Sequence, residues 1–511
     1  MLSLYIRIII TKGTEQFNML NHLYQKFTAG RRPKKTDFKS SKFYTLLMDT
    51  FSIWCDFHVN LKYAVREYSL YDKIRYMRDT KLRDERILKR HKTIVVPRST
   101  SQNDCFMETL KAMQKGEKAI KYAALWNLKK QFLGTAHLLE KVGGTKSIFG
   151  SYYYRVVLFK NALELKEHYA LQAVLLNDIL GEIQGVMPKF AVVVLRKKEE
   201  KVNHNQWREK LQSRLKEWEL IKNNELVPET NRPPNASNPP WRHYANKIAI
   251  KNKSLVLIAA SGWDVRAKLM EHGITNVDKA AKAGIEKISK ILQDDNLAKN
   301  IFANSLAYSK KKPVVRQMGV FPPDRKKKNL YFDFETSDEL GPDNTPHIYL
   351  VGLWDKEKDK YVHFLAKGKD DEEKIFRQFV KYVGNHKNVN LYHWTEYEVH
   401  ELKKMSAKYP KLSDKLNKLI LSCVDLKKII QKAFYIPAPS FSLKSIAPVF
   451  GFNWRQNDCG AMDAMAYYWH WLETKNKDSI KKVLTYNEDD CRAMLEVDRK
   501  LEKIKPVSLK S

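Results

Sequence analysis

The sequence predicts a multidomain α/β protein, and three observations carry this prediction. The 511 residues leave room for two to four domains. Hydrophobic residues make up 43% of the chain and aromatic residues 11%, which is typical of folded domains. Helical and strand-like patterns alternate in two separate stretches, with a helical stretch between them. We therefore expect two α/β modules joined by a smaller helical unit.

The first module is predicted over residues 48–222. Residues 1–47 before it are basic and carry little pattern, so we expect either a disordered arm or an upstream extension if Met48 is the true start. Within the module, aromatic residues open the segment and a charged helix closes it at 197–222. The other predicted elements are helices at 75–92, 105–125 and 164–183 and strands at 131–141, 152–160 and 190–195.

Three connecting segments precede the second module. Residues 223–253 are rich in proline and asparagine and read as a connection. Residues 254–305 form short helices with Gly-centred turns, a helix-hairpin-helix-like pattern that suits phosphate binding by backbone amides and equally suits an ordinary linker. Residues 306–328 are a basic linker, either a solvated charge run or a strap along phosphates. A second α/β domain follows at 329–505.

The charge of the chain is strongly uneven. The formal net charge is +34, which favours a nucleic-acid partner over a membrane surface. Residues 329–511 hold 30 Lys and Arg against 27 Asp and Glu, whereas residues 1–328 hold 62 against 31. A lysine-rich proteome is the alternative explanation, but such a bias should not load one part of the chain so heavily. The basic excess therefore predicts an electrostatic nucleic-acid footprint in the first two-thirds.

Cysteine use and hydropathy exclude several other classes. The five cysteines lie far apart without a Cys-x-x-Cys spacing, which argues against a disulfide framework, a zinc ribbon and an Fe–S cluster. No apolar run approaches the roughly 20 residues of a membrane span, and residues 4–10 are short and interrupted by a charge. We expect a cytoplasmic protein without a membrane partner.

Four acidic residues in the last third are the most informative positions. Asp333 and Glu335 stand two apart on a predicted strand, so they project from one face. Glu398 lies at a strand-to-helix junction, and Asp490 lies on a helix with Tyr486 one turn earlier. Acids at the end of an apolar strand are costly without a cation, and two divalent ions can hold the attacking and leaving oxygens of a phosphoryl transfer. We expect two Mg²⁺ or Mn²⁺ ions.

These motifs resemble those of DEDD-type exonucleases of the ribonuclease H-like fold, in the subclass marked by Tyr-x-x-x-Asp. Residues 329–505 are similar to the YprB-type ribonuclease H-like domain, which has a mixed sheet with flanking helices. The resemblance implies that all four acids are metal ligands and that Tyr486 orients the attacking water. Glu398 departs from the aspartate usual in the superfamily, while Asp425 and Asp489 rank below the four. Further landmarks are Val424-Asp-Leu, Ser440-Phe-Ser-Leu-Lys-Ser-Ile-Ala-Pro and Gly451-Phe-Asn-Trp.

Residues 48–195 resemble the RecB-like nuclease module, of PD-(D/E)xK type, found in TM0106-like proteins. That chemistry requires two acids, a lysine and a Gln-x-x-x-Tyr motif. Lys160 and Gln172 fit the pattern, but His137, Leu158 and Leu176 replace both acids and the tyrosine. Since leucine cannot bind magnesium and histidine is a poor ligand for hard cations, the resemblance implies a degenerate module that clamps nucleic acid. A residual single-metal site of His137 and Glu140 is the alternative. The matching landmarks are Asp49-Thr-Phe-Ser-Ile-Trp-Cys-Asp-Phe-His, Ala112-Met-Gln-Lys-Gly, Phe149-Gly-Ser-Tyr-Tyr-Tyr, and Leu171-Gln172 with Gln184-Gly185.

The leading hypothesis from the sequence is therefore a metal-dependent nuclease, a 3′–5′ exonuclease on a nucleic acid that is single-stranded or has a free end. Two alternatives remain open at this point: a nucleic-acid-binding protein without turnover, and cleavage by the RecB-like module. The sequence does not distinguish DNA from RNA, and a repair or helicase partner stays unidentified.

Overall fold

The computed structural model describes residues 18–65, 69–92, 94–97, 104–230, 240–320, 327–386, 388–456, 459–501 and 503. The apolar segment 4–10, most of the proline-rich loop (231–239) and residues 321–326 of the basic linker lie outside the described residues. The chain divides into two compact units. The first comprises Met1–Tyr63 and Met77–Asn231, and the second comprises Ala64–Tyr76 and Arg232–Ser511.

The first unit is built on a mixed sheet. Its longest strand pairs antiparallel with a strand on each side, and a buried helix covers the apolar face of the sheet. Among the described residues the sheet runs β1-β3-β4-β5-β6, with β2 paired to β3. The helices are α1 (residues 18–28), α2 (Phe43–Met48), α3 (Thr50–His58), the part of α4 (Leu70–Arg90) from Met77 onward, α5 (Cys105–Gln114), α6 (Glu167–Gln184) and α7 (His204–Lys222). The strands are β1 (Phe38–Lys39), β2 (Ala119–Asn127), β3 (Phe132–Ser147), β4 (Gly150–Phe159), β5 (Ala191–Val194) and β6 (Glu199–Val202).

The structure differs from the sequence prediction at two places in this unit. The helix predicted over 105–125 ends at Gln114, because Gly116 takes a positive φ of 68°, and the chain continues as the buried strand β2. The predicted arm before residue 48 also contains ordered elements. Leu20, Leu23 and Phe27 of α1 pack in the core of the first unit, together with Phe38 and others. Residues 18–47 are therefore part of this fold and not a disordered arm.

The second unit carries a five-stranded mixed sheet in the order β10-β9-β8-β11-β12 within the described residues. The central strand β8 pairs antiparallel with β9 and parallel with β11, so the ends of β8, β11 and β12 lie along one edge. The strands of this sheet are β8 (Lys328–Ser337), β9 (His347–Asp355), β10 (Lys360–Leu365), β11 (Val389–His393) and β12 (Cys423–Asp425). The flanking helices are α13 (Glu372–Gly384), α14 (Glu396–Lys408), α15 (Ser413–Leu421), α16 (Leu426–Ala433), α17 (Leu443–Ile446), α18 (Ala461–Thr474) and α19 (Lys477–Leu501).

The small helical unit has its own apolar core and continues further than predicted. Its last helix extends to Lys310, and the linker that follows forms the short strand Val314–Val315, which pairs with Phe434–Tyr435. Positive φ angles at Gly273 and Gly284 allow the tight turns between its helices. The helices are α8 (Arg242–Lys251), α9 (Trp263–Glu271), α10 (Val277–Ala283), α11 (Ile285–Leu292) and α12 (Asp295–Lys310); the paired strands are β7 and β13.

Two further observations concern the cysteines and the hydropathy of the helices. All five cysteines lie in the described residues, and all are free thiols. No helix in the described ranges combines the length and the apolar content that crossing a membrane requires.

Candidate metal centre

Three of the four predicted acids meet at the centre of the second sheet. Asp333 and Glu335 occupy alternate positions of β8, so both side chains project from the same face. Asp490 reaches them from α19. Each of the three offers one carboxylate oxygen, and these oxygens lie within 4.8 Å of one another. Glu335 and Asp490 are buried, and Asp333 is half-buried.

The helix α19 supplies two further polar side chains to this group. Tyr486 lies one turn before Asp490 and hydrogen-bonds its carboxylate. The next residue, Asn487, donates through Nδ2 to Asp333 Oδ2 at 2.9 Å and to Glu335 Oε1 at 3.3 Å. One amide therefore bridges the two acids of β8 and fixes their separation.

Asn487 is held in place by the neighbouring strands. Its Oδ1 accepts a hydrogen bond from the phenol of Tyr361 at 2.8 Å. A Cβ atom at Gly352 would lie 1.6 Å from the same oxygen, so any side chain at this position of β9 would displace the amide. Gly352 pairs with Asp333 in the sheet. The glycine therefore lets α19 approach the strand face where the acids stand.

The acids destabilise one another's charged forms. Burial raises the pKa of Asp333 well above its ordinary value, and the charges of Glu335 and Asp490 raise it further. Burial and the charge of Asp490 likewise raise the pKa of Glu335 to about 8. The pKa of Asp490 rises to about 6, mainly through burial. Like charges this close cannot all ionise without a compensating cation.

Two residues that sequence reasoning left without a role contact this group. The indole of Trp454 donates from Nε1 to Asp490 Oδ1 at 2.6 Å. The ammonium of Lys444 lies 4.8 Å from the ring centroid of Tyr486, hydrogen-bonds the Cys459 carbonyl, and lowers the pKa of Asp490 through its charge. Both residues fall inside segments quoted above as landmarks. A role was not readable there, because it depends on loops that fold back onto α19.

The fourth predicted acid, Glu398, is placed differently. It is buried at the third position of α14, where its Oε2 lies 3.2 Å from Thr395 Oγ1 and 3.4 Å from Thr395 N in a capping box. His393 Nδ1 lies 3.6 Å from the same oxygen. Glu398 is not one of the three acids within 4.8 Å, although its charge contributes to the raised pKa of Asp333. The side chain thus caps a helix close to the acidic group.

The two acids ranked lower have structural partners. Asp489 accepts from the backbone N–H of Arg455 at 2.8 Å and from its Nε at 2.7 Å. Asp425 ends β12 and caps α16 by accepting from the backbone N–H of Lys428 at 2.9 Å. Neither belongs to the group of three.

The residues predicted for a degenerate second site all lie in the first unit. Leu158 and Leu176 are fully buried in the core. Lys160 Nζ donates to Gln172 Oε1 at 2.6 Å. His137 Nδ1 accepts from the Phe159 backbone N–H at 2.9 Å, so this nitrogen is not free for a metal.

The alternative metal pair of His137 and Glu140 does not form. Positions three apart on β3 face opposite sides of the sheet. Although burial opposes it, hydrogen bonds from Arg90 and His91 lower the pKa of Glu140 to about 2, and Arg155 binds the same carboxylate at 3.0 Å. Glu140 is therefore a structural ion-pair partner.

The donor set of the acidic group fits a hard divalent cation. Its ligand atoms are all carboxylate oxygens, which Mg²⁺ and Mn²⁺ prefer, and a divalent ion would offset the repulsion that helps to raise their pKa values. Asp333, Glu335 and Asp490 could hold such an ion directly.

Comparison with known proteins agrees with this chemistry. No curated protein matches the chain. Residues 330–502 match the RNase_H_2 family model of the RNase H superfamily. The matched segment extends from β8 into α19 and contains all four predicted acids. Over this part of its length the chain is similar to the RNase H superfamily, which suggests nuclease activity on nucleic acid.

Proposed function

We propose that the protein is a metal-dependent 3′–5′ exonuclease that uses two divalent ions. One observation carries the proposal: three carboxylate oxygens within 4.8 Å of one another, from Asp333, Glu335 and Asp490, on a buried sheet face. Bound divalent ions would supply Lewis-acid chemistry and a water of lowered pKa. Glu398 is the proposed fourth ligand: its Oε2 caps the helix, and its Oε1 would be the oxygen offered to an ion. Exonuclease polarity rests on the resemblance to DEDD-type enzymes.

The neighbouring residues have distinct proposed roles. Tyr486 would orient the attacking water, since its phenol already lies against the Asp490 carboxylate. Asn487 keeps Asp333 and Glu335 side by side through its two hydrogen bonds. The charge of Lys444 lowers the pKa of both Glu335 and Asp490, so it keeps these acids closer to their ionised, ligating form.

We also propose that the first unit captures the substrate. In this proposal it is a RecB-like clamp that binds nucleic acid without cleaving it. The basic excess of residues 1–328, with 62 Lys and Arg against 31 Asp and Glu, overlaps the first unit but also includes residues 64–76 and 232–328 of the second, whereas the segment with the acidic group is nearly neutral. Leu158 and Leu176 stand in place of ligands, and Glu140 is held in ion pairs. Both observations support the proposal that this unit has no catalytic activity. Binding should therefore weaken steeply with salt.

The proposal is tested with the full chain and labelled oligonucleotides of DNA and of RNA. With Mg²⁺ or Mn²⁺, a 5′-labelled single strand should shorten progressively into a ladder, and a circular strand of the same sequence should resist. Cleavage of the circle would instead assign an endonuclease. A wild-type protein that stays inert with both metals and both nucleic acids would contradict the enzyme proposal altogether.

Metal binding is tested separately from cleavage. Mn²⁺ should raise the melting temperature of the full chain, because it binds only the folded acidic group. The shift should vanish in Asp333→Asn. A shift that persists in this variant would place the ion elsewhere.

A further inference from the structure

A cavity of about 380 Å³ in the second compact unit is lined by residues of the small helical unit and of the five-stranded sheet domain. One wall is the end of α12, where the helix stops at Lys311. The other wall comes from the segments before and after α17. The five lining residues are Tyr308, Lys311, Pro437, Pro448 and Val449. We call this cavity the Tyr308 pocket.

The two walls of the pocket are fixed to each other by direct contacts. The strand β13, which pairs with β7, ends two residues before Pro437. The backbone N–H of Ile436 donates to Asn304 Oδ1 on α12 at 3.3 Å. Ala307 of the same helix packs with Tyr435 in one buried apolar cluster. The pocket is therefore a built part of the fold.

The lining combines an aromatic ring, two prolines and an amine. Tyr308 is half-buried, whereas Lys311 and Pro448 are exposed, so the pocket is reached from solvent. Within the described ranges the Lys311 ammonium forms no ion pair, and the same holds for the exposed Lys310 and Lys312 on either side of it. The rim therefore carries positive charge that suits an anionic ligand.

One acid acts on this end of α12, and it is already compensated. Asp278 accepts from Lys253 Nζ at 2.5 Å and from Ser309 Oγ at 3.2 Å. Burial raises the pKa of Tyr308 above its ordinary value, the charge of Lys253 lowers it, and the charge of Asp278 raises it. None of the five lining residues is acidic. Asp278 therefore does not neutralise Lys311.

The pocket lies close to the acidic group along the chain. Lys444, which contacts Tyr486, stands on α17 four residues before Pro448 in the 3-10 turn Ala447–Phe450. A rise of about 1.5 to 2.0 Å per residue separates the two positions by roughly 6 to 8 Å. A nucleic-acid strand covers this distance with about two nucleotides at a rise of about 3.4 Å. A strand held at the acids therefore reaches the pocket with a nearby nucleotide.

We propose that the Tyr308 pocket binds one unpaired nucleotide of the substrate strand, with its base against Tyr308 and the prolines and its phosphate at Lys311. The inference rests on the proposed nuclease function and makes the substrate single-stranded at this position, because stacked neighbours keep a duplex base out of the pocket. Aromatic rings bind unpaired bases with little regard to sequence, and a lysine binds phosphate as a point charge. Tyr308 and Lys311 lie outside the matched segment 330–502, so the helical unit supplies half of this contact.

The test measures binding of a fluorescein-labelled single strand of ten nucleotides to the full chain in EDTA, where no metal-dependent cleavage occurs. Tyr308→Leu keeps an apolar side chain but removes the ring, so affinity should fall about tenfold, whereas Tyr308→Phe should bind like the wild type. Lys311→Gln should weaken binding about fivefold and reduce the salt slope by about 0.7. Lys299→Gln removes the same charge from an exposed position earlier on α12 and should change affinity less than twofold.

Two further ligands identify what occupies the pocket. A strand of ten abasic nucleotides keeps every phosphate and lacks every base, so the wild type and Tyr308→Leu should bind it equally. A blunt duplex of the same sequence should also bind both proteins equally. If Tyr308→Leu loses the same factor with the abasic strand or with the duplex, the pocket does not hold an unpaired base and the proposal is overturned.

Melting temperatures separate binding from a structural role. Tyr308 also packs against the apolar clusters of the helical unit, whereas Lys311 is exposed, so Lys311→Gln should melt like the wild type and test the pocket without disturbing a core. Equal affinities of Lys311→Gln and Lys299→Gln would overturn the proposal whatever the stability of Tyr308→Leu.

A last comparison isolates the pocket from the proposed activity. Asp333→Asn should bind the single strand as tightly as the wild type in EDTA. Normal cleavage by the wild type, with normal binding by Tyr308→Leu and Lys311→Gln, would refute the Tyr308 pocket alone. A wild type that neither binds nor cleaves would refute the nuclease proposal.

Discussion

The acidic group of the second unit and the half-buried Lys160 of the first unit carry opposite charges. In the former, three carboxylates raise one another's pKa, to about 8 for Glu335. In the first unit, burial and then the charge of Arg83 lower the pKa of Lys160 to about 8. In both cases burial is the largest cause and a like charge adds to it. Each site therefore holds charges that favour their neutral forms.

The contrast shows that the charges next to a buried group decide in which direction its pKa shifts. Glu140 is also buried, yet its cationic partners lower its pKa to about 2, and it needs no ligand. Among the described residues, the acidic group has the single cation Lys444 beside it, and the pKa values of Glu335 and Asp490 stay raised in spite of its charge. Perturbed groups of this kind are candidates for function, and the negative charge of the acidic group suits a divalent cation.

Removing one acid should have the largest effect. Asp333→Asn keeps the shape of the side chain but removes one ligand charge, so the cleavage rate should fall by about 1000-fold, equivalent to about 4 kcal/mol of transition-state stabilisation. The rate is measured on a labelled single strand under single-turnover conditions.

Asp425→Asn is the matched control for this loss. Asp425 also ends a strand of the same sheet, but it caps α16, a role that asparagine can fill. The control should cleave at the wild-type rate. A comparable loss in both variants would mean that the acids at this edge act through folding and not through metal.

Parts of this site were predictable from the sequence because they depend on local periodicity. Asp333 and Glu335 face the same way because successive side chains of a strand alternate between its two faces. Tyr486 lies near Asp490 because one helical turn takes about 3.6 residues. The role of Asn487 was not predictable. It depends on Gly352, a residue 135 positions earlier whose missing side chain admits the amide.

The fold predictions failed where local signals were weak or interrupted. The helix predicted over 105–125 includes β2, which is apolar enough to extend a helical pattern but is separated from it by the turn at Gly116. The core residues of α1 have helical spacing, yet the basic residues around them indicated an arm. In both cases long-range pairing and burial decided the structure, and neither can be read from a short window.

Glu398 tests how far the acidic group extends. Glu398→Gln removes the charge and keeps a residue that can complete a capping box, so the helix should remain stable. If the carboxylate also serves the metal, the cleavage rate should fall by about 10- to 100-fold, less than for Asp333, because its distance from the group makes its contribution smaller.

The melting temperature and the rate together distinguish the two roles of Glu398. If Glu398→Gln changes neither the cleavage rate nor the melting temperature, the metal centre consists of the other three acids alone. A lower melting temperature with a proportionate loss of rate would assign Glu398 to the cap alone.

The pH should control both metal affinity and stability through the raised pKa of Glu335. Below about pH 8 the folded protein keeps a proton on this acid, which the metal must displace, so Mn²⁺ affinity should rise up to about tenfold between pH 7 and pH 8. In the metal-free protein the unfolded chain releases that proton near its ordinary pKa. Stability should therefore fall as the pH rises from about 4.5 to 8.

Titration calorimetry at several pH values measures the affinity, and thermal melts in EDTA measure the stability. Glu335→Gln removes one titrating group and should make the stability profile shallower, while the raised pKa values of Asp333 and Asp490 keep part of the slope. A metal-free protein that becomes more stable across this window would show that the acids are compensated by a partner within the protein.

The smallest effect is expected at Lys444, where a single cation sits beside the acidic group. Its charge lowers the pKa of Glu335 and Asp490, so Lys444→Met should raise both and shift the pH midpoint of metal binding upward. Above that midpoint the acids are ionised in both proteins, so the effect of the substitution on metal affinity reverses. Without the repulsion from Lys444, Mn²⁺ should bind roughly fivefold more tightly, about 1 kcal/mol. Lys481→Met removes the same charge from an exposed position of α19 and should change neither quantity. Weaker metal binding by Lys444→Met at pH 9 would instead mean that Lys444 maintains the site through its hydrogen bond to the Cys459 carbonyl.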